Sequence, residues 1–312
     1  MDSVESDLLE AARRDDEGAF DRLVAPYRGE LHAHCYRMLG AVHDAEDALQ
    51  EALVGAWRGL AGFEGRSSVR SWLYRIATNA CLKLIKQQPK RLVPLDYHAP
   101  MSEIGELAPP IEGEFYVEPY ADPQATYELR ESVELAFIAA LQHLPGTQRA
   151  VLILRDVLAF SAAEVAEALD TSVASVNSAL QRARKTLDER TPAESQQATL
   201  RRLGEEAEQK LVAEFVAAWE RGDVPALLEL LAEDARFTMP PLPAWFDGRE
   251  NVARFLAERV FATPWRLVPA SANGQLAFAC YQQRDGEFRI GCLNVLTLRG
   301  AFAAVTKGTA PR

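Results

Sequence analysis

Apolar residues in the first part of the chain recur three and four positions apart. Leu8, Leu9 and Ala12, then Phe20, Leu23 and Val24, keep that spacing, so residues 5–88 read as helices throughout. In "HDAEDALQEALVGAWRGL" the apolar stripe is Ala48, Leu49, Ala52, Leu53 and Trp57, and Asp44, Glu46, Asp47, Gln50 and Glu51 lie mostly off it. Gly62 and Gly65 punctuate a loop. Ser71 is placed to cap the next helix, which runs to about Gln88 and is closed by Pro89.

The pattern then lapses. Pro89, Pro94, Pro100, Pro109, Pro110, Pro119 and Pro123 crowd residues 89–123, which predicts an extended linker and no packed element. Helical spacing returns over 124–190, with breaks at Pro145-Gly146, Ala159-Phe160 and Asp170-Thr171. Ser161 and Glu164 fit the S-x-x-E capping box, in which each side chain satisfies a backbone N–H at a helix start. A second helix begins near Ser172, and two short helices joined by a tight turn predict a helix-turn-helix. Residues 191–208 are polar and read as a second linker with some helical character. Two amphipathic helices (211–222 and 224–232) precede "ARFTMPPLP", and a short helix follows "DGRE" at 247–250. Strand-like runs cover 265–272, 275–284, 287–298 and 301–306, with Asp285-Gly286 as a hairpin turn. Helices first and a meander after predict an α+β domain.

Composition adds bounds. At 312 residues, 48 % hydrophobic and 25 % charged, the chain has room for two or three soluble domains. No run approaches the roughly 18 apolar residues of a membrane span. The acidic, amphipathic start "MDSVESDLLEAARRDDEGAF" does not read as a signal peptide. Cys35, Cys81, Cys280 and Cys292 lie far apart with no CxxC spacing, which predicts reduced thiols in a cytoplasmic protein. "HAHC" puts His32 and Cys35 one helical turn apart without a second pair, so no metal site and no cofactor are expected.

Charge changes the picture more. The net charge of −11 hides a strip, Arg66 to Arg91, whose charged residues are all basic: Arg66, Arg70, Arg75, Lys83, Lys86, Lys90 and Arg91. Residues 92–134 then carry Asp96, Glu103, Glu106, Glu112, Glu114, Glu118, Asp122, Glu128, Glu131 and Glu134 against the lone base Arg130. Such asymmetry predicts a basic face for a polyanion and an acidic segment kept off it or held in another basic channel. On a helix, Trp72, Arg75, Asn79, Lys83 and Lys86 share a face. Arg and Lys there neutralise phosphates, Trp72 or Tyr74 could stack on an unpaired base, and Asn79 could meet a base edge. The Phe63–Val69 loop, with Gly65, Ser67 and Ser68, is small enough to admit a flipped base. On the second helix of the 161–190 pair, Ser175, Asn177, Ser178, Gln181, Arg182 and Arg184 are candidates for a major groove, with Val173, Val176, Leu180 and Ala183 facing inward.

"DAEDALQEALVGAWRGL", "SVRSWLYRIATNACLKLIK" and "LPGTQRAVLILRDVLAFSAAEVAEALDTSVASVNSALQRARKTL", in this order, resemble a group 4, extracytoplasmic-function sigma factor of bacterial RNA polymerase over residues 5–190. The resemblance implies that Asp44, Asp47, Gln50, Glu51 and Trp57 dock on the polymerase β′ clamp. It implies that Phe63, Arg66, Ser67, Trp72, Tyr74, Arg75, Asn79, Lys83 and Lys86 open and read the −10 element. Ser175, Asn177, Ser178, Gln181, Arg182 and Arg184 would read the −35 element beside the β flap, and the acidic linker would thread the polymerase interior. Residues 209–306 resemble the SnoaL-like cone, with a shortened last strand.

The expected fold is multidomain: two all-α sigma domains, a helical region-2 bundle and a helix-turn-helix region-4 domain, followed by an α+β SnoaL-like cone. The expected boundaries are 1–90 for region 2, 91–125 for the acidic linker, 126–191 for region 4, 192–208 for a second linker and 209–312 for the cone. The partners implied are core RNA polymerase, promoter DNA and, at the cone, a small ligand or regulatory protein. The alternative is an enzyme or small-molecule-binding activity of the cone, with the helical half as its regulatory arm; a third reading, a dimeric helix-turn-helix repressor, needs neither the clamp-docking stretch nor the linker. Against an enzyme, Asp247, Arg249 and Asp285 stand in turn-like contexts, so no catalytic residue is expected.

Overall fold

The computed structural model describes residues 3–88, 91, 98–105, 107–109, 116–120 and 134–299, and the backbone of 302–309. The chain forms two compact units, one of residues 1–90 and 137–191, the other of residues 91–136 and 192–312.

The first unit is helical: α1 (Ser3–Ala12), α2 (Glu17–Val24), α3 (Arg28–Leu39), α4 (Val42–Gly59), α5 (Val69–Gln87), α6 (Leu135–Gln142, from Phe137 onward), α7 (Gly146–Leu152), α8 (Ala162–Ala168) and α9 (Val173–Asp188). Ala45, Ala48, Ala52 and Ala56 of α4 are buried, and these small side chains let α3 and α5 approach it closely. Helix α5 starts earlier than expected, because Ser68 and not Ser71 caps it: the Ser68 Oγ accepts from Ser71 N at 3.0 Å. The helix ends at Gln87, and Pro89 lies outside the described residues.

One core runs from α3 and α5 into α7 and α8. Gly146 lies against Leu82 and Ile85 of α5, where an added Cβ would come within 3.2 Å of both. Gly40 turns left-handed (φ 76°) after α3, and a Cβ there would meet the Gln142 side chain at 3.0 Å. The buried Arg149 guanidinium donates to Met38 O, to Gln142 Oε1 (2.5 Å) and to the carbonyls of Gln142 and Leu144, both at 3.1 Å. After α7 the chain widens into a π-helical turn, Ile153–Val157, and Ala159 (φ 58°) ends it. The Ser161–Glu164 capping box opens α8 as expected, and backbone hydrogen bonding at Ser161 holds the Glu164 carboxyl below its ordinary pKa.

The second unit is built on a six-stranded sheet in the order β2-β1-β6-β5-β4-β3, with β1 (Leu231–Thr238), β2 (Trp245–Asp247), β3 (Trp265–Ala272), β4 (Gln275–Arg284), β5 (Glu287–Arg299) and β6 (Phe302–Thr309). All pairs are antiparallel except β1 with β6. The β3–β4 and β4–β5 hairpins turn through Asn273-Gly274 (φ 53° and 64°) and Asp285-Gly286 (φ 53° and 82°), the left-handed pairs a two-residue hairpin demands. Helices α10 (Gln196–Leu203), α11 (Glu205–Arg221), α12 (Val224–Leu230) and α13 (Arg249–Glu258) complete the unit. Phe215, Trp219, Phe237, Phe246, Phe255 and Phe278 pack together between helices and sheet. Strands β1 and β2 were not expected, and β6 runs to Thr309, so the last strand is longer than expected.

Both linkers depart from expectation. Residues 98–120, where described, lack helix and pack on the second unit: Met101, Ile104 and Leu107 lie against its core, and Tyr116, Val117 and Tyr120 are buried. Trp245 Nε1 donates to His98 O (2.7 Å), Met101 N to Trp245 O (2.8 Å) and Tyr120 N to Asn273 Oδ1 (2.7 Å). Most of the acidic residues of this stretch lie outside the described residues. The expected second linker is α10, whose Gln196 side chain pairs with both backbone groups of Leu298, while Glu134 accepts from Gln196 N and Gln197 N. Buried polar pairing of that kind fixes a segment in a domain.

Candidate nucleic-acid interface

Three surfaces of the helical unit carry the candidate residues. On α4, Asp47, Gln50 and Glu51 are exposed on one side of the helix. Asp44 is buried (6 % exposed), and Trp57 is half-buried with its ring edge-on to Phe20 at 5.1 Å. Asp44 is therefore not presented on that surface, a correction to its expected place, and Trp57 is presented only in part.

On α5, Arg75, Asn79, Lys83 and Lys86 are exposed along one face, as the spacing predicts. Beside them a cleft of about 430 Å³ is lined by Asn79, Lys83, Lys86 and Gln87 together with Leu82, Thr147 and Leu169. Lys83 is ion-paired with Glu51 of α4, so a candidate DNA contact and a candidate polymerase contact neutralise each other. Arg66 is exposed and paired with Glu64 at 3.2 Å, and Ser67 is half-buried in the same loop.

The aromatic candidates are corrected. Phe63, Trp72 and Tyr74 are 5 %, 4 % and 1 % exposed. The Phe63 and Trp72 rings contact at 4.8 Å, and Tyr74 packs on His34 (5.1 Å) and Phe160 (5.4 Å). Burial raises the Tyr74 phenol above its ordinary pKa. No face of these rings is open for a base here. Trp72 shares the angular stripe of Arg75 and Asn79, but the chain after α4 covers the first turn of α5.

On α9, Ser175, Asn177, Ser178, Gln181 and Arg182 are exposed, and Val176, Leu180 and Ala183 are buried. The Ser172 Oγ caps the helix by accepting from Ser175 N at 3.1 Å. Val173, expected inside, is 44 % exposed at the first turn, an apolar group positioned beside the polar ones. Arg184 is exposed but held in a two-pronged ion pair with Asp156 of the π-helical turn, at 2.8 and 2.7 Å. It braces α9 against α7 and its extension. Asn177, Gln181, Arg184, Lys185 and Arg155 border an open hollow of about 660 Å³. Sequence reasoning placed Val173 inside and did not count Lys185 among the groove candidates, although both lie on the exposed side. Their position one helical period from Asn177 and Gln181 was the available signal.

Residues 23–91 match the family described as Sigma-70 region 2, residues 134–187 match Sigma-70, region 4, and residues 212–301 match the SnoaL-like domain. Over 277 residues the chain is 43 % identical to the ECF RNA polymerase sigma factor SigG of Mycobacterium tuberculosis, covering 85 % of this chain and 74 % of that protein. The chain belongs to the ECF family of RNA polymerase sigma factors. This sigma factor is also 30 % identical to the ECF RNA polymerase sigma factor SigW of Bacillus subtilis over 190 residues, 60 % of this chain and 96 % of that one. The crystal structure of the Mycobacterium tuberculosis extracytoplasmic function sigma factor SigJ shares its fold, with a TM-score of 0.58 at 24 % identity over 92 % of this chain and 96 % of that chain. As a sigma factor it confers promoter specificity in transcription initiation, and its C-terminal domain is SnoaL-like. Among the described residues no helix is long and apolar enough to cross a membrane.

Proposed function

We propose that the three exposed surfaces divide the work of initiation. The α4 surface of Asp47, Gln50 and Glu51 docks on the polymerase clamp. The α5 face of Arg75, Asn79, Lys83 and Lys86, with the Arg66–Ser67 loop, holds the opened −10 strand by its phosphates. The start of α9, with Val173, Ser175, Asn177, Ser178, Gln181 and Arg182, enters the −35 major groove, where the Val173 methyls suit a thymine methyl and Gln181 suits adenine.

The observation that carries this reading is the two-sidedness of α9, capped, braced by Arg184–Asp156, apolar inward and polar outward. The second unit serves as the regulatory domain. Asp247 is tied to Arg236 at 3.0 Å and Asp285 sits in a hairpin turn, so neither is arranged as half of an acid–base pair. If the 98–120 segment enters the polymerase, its contacts to this unit must part first.

Run-off transcription with core polymerase tests the assignment. Asp47→Arg with Glu51→Gln should weaken polymerase binding with the fold retained, since both side chains are solvated. Unchanged polymerase affinity in the folded double variant would remove the α4 assignment.

A further inference from the structure

All four cysteines are free thiols, and the fold brings them together two by two. Cys35 of α3 and Cys81 of α5 touch inside the helical unit, both fully buried. Cys280 and Cys292 stand directly opposite each other on antiparallel strands β4 and β5, on the face that packs against the helices. We propose that Cys280 and Cys292 are an oxidation site, a dithiol that a peroxide closes to an intramolecular disulfide and a thiol reductant reopens.

The geometry favours closure. Directly paired residues on antiparallel strands have Cα atoms about 4.5–5.5 Å apart, inside the roughly 4.4–6.8 Å range that disulfides span. Their Cβ atoms, about 4.5–5.5 Å apart in such pairs, must draw in by about 1 Å. A bulge lies at this point: the register shifts between Cys280 and Tyr281, leaving Gly291 as the extra residue. Bulged backbone gives more readily than a regular ladder. Gly291 also lies under the Trp265 ring, where an added Cβ would come within 3.0 Å, so the strand here can carry no larger residue without displacing that ring.

The two thiols differ as the chemistry requires. Cys292 is half-buried and so open to a small oxidant, while Cys280 is fully buried. The Cys280 S–H has two acceptors, the Phe278 carbonyl at 3.4 Å and the Cys292 sulfur. A hydrogen bond to the Cys292 thiolate lowers the Cys292 pKa, and the same bond raises that of Cys280. Cys292 therefore supplies the nucleophile.

The Cys292 thiolate attacks one oxygen of hydrogen peroxide, the O–O bond breaks, and Cys292 sulfenic acid and hydroxide form. The Cys280 sulfur then attacks the sulfenic sulfur, the S–O bond breaks, and the released hydroxide takes the Cys280 proton. The sum is two thiols and one peroxide giving one disulfide and two waters. A disulfide drawn across paired strands is strained and hence readily reduced, which suits a reversible mark.

The test uses the full chain with substoichiometric and then excess hydrogen peroxide, followed by alkylation under denaturing conditions and tryptic mapping. Cleavage after Arg266, Arg284, Arg289 and Arg299 puts the two cysteines on separate peptides, 267–284 and 290–299. The expected result is loss of two of the four thiols, a 267–284/290–299 cross-link that dithiothreitol removes, and oxidation of Cys35 and Cys81 at least about tenfold slower because both are sealed from solvent. Cys292→Ser should keep Cys280 alkylatable, with circular dichroism reporting its fold. If that variant misfolds, the wild-type map decides alone. Retention of all four thiols, over-oxidation of Cys292 with no cross-link, or equally fast oxidation of Cys35 and Cys81 would overturn the proposal.

Discussion

His34 shows how one buried side chain sets a pH response. Its ring is fully buried between α3 and α5, Nε2 is 2.9 Å from the Thr78 Oγ1, and the Thr78 hydroxyl donates to Tyr74 O at 2.7 Å. Thr78 Oγ1 therefore accepts from Nε2–H, and Nδ1 has no hydrogen-bond partner among the described residues. Burial lowers the pKa from 6.5 to about 3, helped by the nearby Arg37 charge. The unfolded chain takes up this proton below pH 6.5 while the folded chain refuses it until about pH 3. The stability from a neutral His34 is thus fully present above pH 6.5 and is lost as pH falls below it, about 2 kcal/mol by pH 5. Urea unfolding of wild type and His34→Gln at pH 7 and pH 5 should show that extra loss in the wild type only; equal losses would mean another group governs the response. A second residue-scale expectation separates two neighbours on α9. Gln181→Ala should relax preference at one −35 base pair by about 1–3 kcal/mol, whereas Arg182→Ala should weaken every sequence alike and flatten the salt dependence. Titrations against single-base promoter variants at several salt concentrations distinguish them.

At the scale of an element, α9 depends on its first turn. Ser172→Ala removes the acceptor for Ser175 N and should cost about 1 kcal/mol. It should lower promoter affinity without altering base preference, because the reading side chains remain. Binding to promoter variants checks this, and a changed preference would place Ser172 itself on the DNA. Helices with strong periodicity, such as α4 and α9, were legible in the sequence, and so were β3, β4 and the Asp285-Gly286 turn after β4, whereas the Asn273-Gly274 turn was not singled out. What failed was coverage along a helix. Periodicity puts Trp72 on the same stripe as Asn79, but it carries no information that Phe63 lies over that end. Strand β1 was hidden because Glu233 and Asp234 break its alternation, leaving only Ala235, Arg236 and Phe237 to signal a strand.

At the scale of the whole molecule, the unexpected feature is membership. Proline and acid content marks residues 89–123 as loose, and the six apolar anchors Met101, Ile104, Leu107, Tyr116, Val117 and Tyr120 are too sparse to show periodicity. They bind the C-terminal unit by packing that only the fold reveals. A chain ending at Thr191 should therefore keep its helical unit and lose order in 98–120. Chymotrypsin should cut it near Met101, Tyr116 and Tyr120 at least about tenfold faster than the full chain. Equal cleavage rates would show that the segment draws no protection from the C-terminal unit.

Arg149 has a consequence in hydration. Its guanidinium, with a pKa lowered to about 10 by burial, is still a cation at neutral pH, and it is solvated by amide oxygens instead of water. Three of those oxygens, on Gln142 and Leu144, travel with Arg149 on the same stretch of chain, and one, Met38 O, belongs to the end of α3. Drawing α7 away from α3 would return the ion to water, its preferred solvent, and strand no polar group but a helix-terminal carbonyl, to which water also donates. An all-leucine seam would instead meet water as bare hydrocarbon at about 25 cal/mol for every Å² uncovered. At Arg149, parting α3 from α7 therefore uncovers an ion and carbonyls, whereas opening the contacts of Gly146 with Leu82 and Ile85 and of Tyr74 with Phe160 would uncover hydrocarbon.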